Sequence, residues 1–103
     1  MKYQLVLQWQ QTSLETFDEL VGLEELLEKT AADLGELDGH DAGSGEVNIF
    51  FHTDTPGLLF ERLQHTLASQ NRLATARIAF RDIAEAGGYV ILWPADLDRF
   101  TLT

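Results

Sequence analysis

The sequence predicts a single α+β domain over residues 1–103, a two-layer sandwich in which two helices cover one face of an antiparallel sheet. Three observations predict it. Residues 2–9, 46–53 and 74–81 alternate apolar and polar side chains with the period of a half-buried strand. The stretches that begin near Thr16 and Thr55 repeat apolar residues at spacings of three and four, the period of an amphipathic helix. With 103 residues and 45% hydrophobic side chains, the chain has the size and apolar content to bury one core.

The first strand places Tyr3, Leu5, Leu7 and Trp9 on one face and Lys2, Gln4, Val6 and Gln8 on the other. Thr16-Phe17-Asp18-Glu19 reads as a capping box that starts the first helix. Its apolar stripe is Phe17, Leu20, Leu23, Leu27, Ala31 and Leu34, and Gly35 stops it. Residues 36–41 form a weak strand interrupted by Gly39, which suits a β-bulge. Gly43-Ser44-Gly45 then makes a hairpin loop into the strong strand 46–53, which turns Val47, Ile49 and Phe51 to the helices. Pro56 suits the first position of the second helix, with Thr55 as its cap and Leu59, Phe60, Leu63 and Leu67 on its apolar face. Asn71 ends that helix. After strand 74–81, Gly87-Gly88 turns the chain into Tyr89-Val90-Ile91-Leu92-Trp93, apolar on both faces and ended by Pro94. The tail residues Leu97, Phe100 and Leu102 are placed to cover one of those faces.

This order, β-α-β-β-α-β with an added C-terminal strand, resembles the ferredoxin-like α-β plait over about residues 2–81. The resemblance implies strand order 4-1-3-2, with the fifth strand beside the fourth. The run Gly39-His40-Asp41-Ala42-Gly43-Ser44-Gly45-Glu46 into Asn48-Ile49-Phe50 is also similar to stretches of small bacterial domains.

The net charge of −10 is not evenly spread. Residues 15–46 hold eleven acids against Lys29 alone, whereas acids and bases cancel over the rest of the chain. Such a field repels phosphate backbones and anionic lipid, so neither nucleic acid nor a membrane is expected as a partner. It attracts a basic protein instead. An acidic helix that only keeps the protein in solution is the plainer explanation of the same residues. The absence of cysteine excludes disulfides, thiolate nucleophiles and Cys-based metal centres, and no apolar run approaches a membrane span. A cytoplasmic location is the expectation.

The unusual stretch is Asp38 to His52. Strand parity puts Glu46, Asn48, Phe50 and His52 on the sheet face away from the helices, together with Glu36, Asp38 and His40, Gln4 and Gln8, and Arg77 and Arg81. The glycines either serve the turn and bulge alone or aim Asp38, His40, Asp41 and Glu46 at a common point. His40, Asp41, Glu46 and His52 are suitable metal ligands by type, but no His-x-His or His-x-x-x-His pair fixes them locally, and no metal or other cofactor is predicted. His40 beside Asp38 or Asp41 could carry a proton. Ser44 is read as a turn residue, because the strand–turn–helix setting of a nucleophile elbow is missing.

These readings converge on a non-enzymatic binding or protein-interaction module with an acidic contact surface in residues 15–46. Its acidic patch is Glu24, Glu25, Glu28 and Glu36, with no residue assigned to catalysis. The binding residues of the hairpin are Asp38, His40, Asp41, Ser44, Glu46, Asn48 and His52. The alternative is a small enzyme or metal-binding protein built on the Asp38–His52 hairpin. The apolar last strand and the open sheet face also allow a homodimer.

Overall fold

Tyr3–Gln10 forms β1, the central strand of the computed structural model, which describes residues 1–13, 16–85 and 87–102. The chain continues through α1 (Phe17–Ala31), β2 (Glu36–Gly43), β3 (Glu46–Thr53), α2 (Pro56–Ser69), β4 (Arg77–Asp82) and β5 (Val90–Trp93). All strand pairs are antiparallel, and the five strands lie in the order β2-β3-β1-β4-β5. The helices connect β1 to β2 and β3 to β4. The protein is thus α+β, with two helices and one five-stranded sheet.

Alternation in β1 decides the layers. Leu5, Leu7 and Trp9 meet Val47, Ile49 and Phe51 of β3, Ile78 of β4 and the apolar stripes of both helices, and these residues form the main core. Both indole N–H groups find acceptors: Trp9 Nε1 donates to the Arg72 carbonyl at 2.8 Å and Trp93 Nε1 to that of Leu73 at 2.9 Å. The buried indole of Trp9 and the half-buried one of Trp93 therefore pin the loop between α2 and β4. This loop displaces the start of β4 from the expected residue 74 to Arg77, because Leu73 to Ala76 close a turn instead.

The opposite sheet face is covered in part. Val6 and Ala79 are fully buried there beneath Phe100, with Phe50, Tyr89, Ile91 and Leu97 packed around them. The C-terminal tail supplies this cover, as its apolar residues predict, except that Leu102 stays exposed. Phe100 is the anchor, its ring centroid 4.9 Å from that of Tyr89.

Several local expectations need correction. The Thr16 hydroxyl accepts from the Glu19 amide at 3.1 Å, but the Glu19 carboxylate accepts from the Thr16 hydroxyl and from Arg72 instead of returning to the Thr16 amide. Phe17, at the first position of the helix, is exposed, while Glu24 is buried on the apolar stripe among Leu20, Leu23, Leu27 and Ala31. α1 ends at Ala31, and a 3-10 turn over Ala32–Leu34 precedes Gly35. Gly35 matters for space: a Cβ there would sit 2.7 Å from Cδ2 of the buried Leu59 and 3.3 Å from the His52 carbonyl oxygen. Its lack of a side chain lets β2 begin hard against α2. Thr55 does not cap α2 with its side chain. The Thr53 hydroxyl does the local bonding, accepting from the Thr55 amide and donating to the Leu34 carbonyl.

Candidate functional site

The hairpin between β2 and β3 is tighter than its composition suggests. Gly43 pairs with Glu46, so only Ser44 and Gly45 form the turn, with φ of 54° and 81°. Positive φ at both central residues is the type I′ pattern, whose twist matches that of the flanking strands. Ser44 thus fills a turn position and is exposed to solvent.

The bulge decides what this hairpin can do. Leu37 pairs with Phe51, but the next pair is Gly39 with Phe50, so the register shifts by one residue at Asp38. Gly39 takes a φ of 105°, a conformation open to glycine and costly for residues with a Cβ. One extra residue reverses the side-chain parity of everything after it. His40 consequently aligns with Ile49 and faces the helices, whereas Asp41 aligns with Asn48 and faces the other way. The expected placement of His40 on the same face as Asp38 is therefore wrong.

The candidate residues accordingly fall into three groups. On the helix side, His40 Nδ1 lies 3.0 Å from Oε2 of Glu24, and the His40 ring stands edge-on to Phe17 with centroids 5.9 Å apart. On the other face, His52 Nε2 and Asp38 Oδ2 are 3.2 Å apart at one end of the sheet. Toward the turn, Glu46 accepts from Gln8 Nε2 at 3.3 Å and from Arg77 at 3.4 Å, and Gln8 Nε2 also reaches the Thr101 carbonyl at 3.0 Å. The two histidines are on opposite faces. Among the described residues no group of three or more His, Asp or Glu side chains gathers at a point that could hold a metal ion.

Adjacent residues on this face leave a deficit of donors. Asp41, Asn48, Gln8 and Arg77 stand side by side across β2, β3, β1 and β4. Gln8 and Asn48 are buried, and the side-chain oxygen of each has no hydrogen-bond partner. Sequence reasoning placed both amides on this face but could not foresee their burial, to which, for Gln8, the C-terminal tail contributes from the far end of the chain.

The acidic residues separate according to their neighbours. Glu24 is buried against His40 rather than displayed. Glu19 pairs with Arg72 at 2.9 Å and Asp33 with Arg62 at 3.3 Å, on the side where α1 meets α2. Glu28 lies one turn beyond Glu24, on the side of α1 nearer β2. Glu25, Glu28, Glu36 and Asp41 are all exposed, and none of them has an ion-pair partner among the described residues. β2 is the terminal strand of the sheet and α1 packs beside it, so Glu25 and Glu28 border this edge from the helix side, while Glu36 and Asp41, which face away from the helices, border it from the other. Glu15, the first acid of the segment, lies outside the described residues. The bases Arg77 and Arg81 sit on β4, across the sheet. Lys2 at that end is held above the ordinary lysine range by its contact with Tyr3 first and by Asp82 next.

The Glu24–His40 pair predicts a measurable non-additivity. His40→Ala leaves the buried carboxylate without its partner and is expected to lower stability by about 1–3 kcal/mol. Adding Glu24→Leu to that variant should recover most of the loss, since an apolar side chain suits the stripe of α1. Urea unfolding of the two single variants and the double variant measures the coupling.

Comparison of the chain with protein-family models, curated proteins and solved structures finds no match in any of the three.

Proposed function

We propose that the chain is a plait of the ferredoxin-like class that acts as a non-enzymatic interaction module, receiving a basic protein on the flank formed by α1 and β2. The observation that carries this reading is the set of exposed carboxylates around that edge, Glu25, Glu28, Glu36 and Asp41, left without cationic partners among the described residues while Glu19 and Asp33, on the side of α2, are paired. Unpaired charges of one sign on one side raise the local concentration of an oppositely charged partner and speed encounter. The same sign disfavours phosphate backbones. The alternative of an enzyme or metal site in the hairpin is the less favoured reading, because the bulge turns His40 toward the helices and away from Asp38 and His52.

The test is kinetic. A basic partner captured from the source cell should associate with a rate that falls several-fold as added salt shortens the Debye length from about 30 to 8 Å. Dissociation should change less, because rim charges act mainly on encounter. Stopped-flow mixing at two salt concentrations measures both, and a salt-insensitive association rate would remove electrostatic recognition from the account.

A further inference from the structure

We infer that the partner's contact segment is extended and basic, and that it pairs as an added strand along the free edge of β2 at His40–Ala42. This rests on the acidic-flank reading above and specifies how the flank is used. The hairpin geometry supplies the first argument. In a two-residue turn the flanking residues, here Gly43 and Glu46, form a hydrogen-bonded pair. Pair types alternate along the ladder, so Asp41 with Asn48 is hydrogen-bonded, while Ala42 with Val47 and His40 with Ile49 are not. The N–H and C=O groups of His40 and Ala42 therefore point out of the sheet, beyond its last strand. Such a row is a template for another strand.

Among the described residues the edge is unblocked by the usual devices over this stretch. It carries neither lysine nor proline, and the bulge lies before it, at Asp38. What guards it is charge. A second copy of this chain pairing there would bring two strands that each carry Glu36, Asp38 and Asp41 together, whereas a lysine-bearing strand would be attracted.

The second argument concerns the side chain that such a strand presents. A residue added opposite Asp41 stands beside an exposed carboxylate that has no ion-pair partner among the described residues. An ammonium group, with three N–H donors and no acceptor, is the chemistry that fits. Lysine opposite Asp41 also fixes parity: its own backbone N–H points away from β2, and the amides of the residues on either side pair with His40 and Ala42.

The probe is a peptide of alternating lysine and threonine, matched in length to the eight residues of β2. Its binding to the full chain is followed by fluorescence anisotropy. N-methylation of the threonine amides should weaken binding about tenfold or more, because those amides make the edge hydrogen bonds. N-methylation of the lysine amides should leave affinity within about twofold. Asp41→Asn, at an exposed position, should weaken the unmodified peptide several-fold. Equal binding of the parent and both methylated peptides would overturn strand pairing and leave the acidic-flank reading standing. Loss on lysine-amide methylation alone would overturn the parity assigned here. If the unmodified peptide does not bind, both readings fall.

Discussion

Ile49→Asp is expected to abolish the folded state. Ile49 is fully buried in β3, between Leu7 of β1 and His40 of β2, and belongs to the main core. The substitution removes an apolar side chain from the contact between sheet and helices and puts a carboxyl group there without a partner. Protonation would lessen the charge penalty but would still leave a polar group in an apolar site. The combined cost of several kcal/mol is comparable with the whole stability of a domain this size, about 5–15 kcal/mol. Circular dichroism should show no cooperative melt. A variant with near-native melting would contradict the assignment of this face of β3 to the core.

The second large effect is expected at the C-terminal tail. Phe100 is 8% exposed and closes the second cluster over Val6 and Ala79. Phe100→Ala should cost about 3 kcal/mol, the range for truncating a buried aromatic ring. The main core lies on the other side of the sheet, so the variant should stay folded but melt earlier. Leu102→Ala is the control: Leu102 is 40% exposed, and its truncation should change stability by less than about 0.5 kcal/mol. Urea denaturation of the two variants separates a tail that is part of the fold from one that merely lies on it.

These expectations show what is legible in a sequence of this kind. The strand 46–53 and the core side chains of β1 follow from alternation alone, because each strand has one apolar face and a one-residue slip would expose it. α1 was harder. Phe17 and Glu24 differ by seven residues and lie on the same side of the helix, and the stripe extends to include the carboxylate because His40 stands opposite to receive it. Nothing in the helix pattern announces that partner. The bulge was visible as Gly39, but its consequence for His40 depends on where the register shifts, and that is set by Leu37 remaining against Phe51. His40 parts from Asp38 and His52 for that single reason. The covered part of the other sheet face includes a hydrogen bond from Gln8 to the Thr101 carbonyl, far apart in the chain. Tail composition suggests a cover, whereas the burial of Gln8 and Asn48 is a property of the folded chain. The acidic flank was legible as a run of charges, but which carboxylates lack partners became clear only with Arg62 and Arg72 in place.

The central claim is that the α1–β2 flank is the contact surface for a basic partner. Amide chemical-shift mapping on titration with the alternating lysine–threonine peptide tests it most directly. The account predicts saturable shifts concentrated at Glu25, Glu28, Glu36 and Asp38 to Ala42, with β4 and α2 nearly unmoved. Shifts centred elsewhere, or none at peptide concentrations well above those needed for weak electrostatic binding, would contradict it.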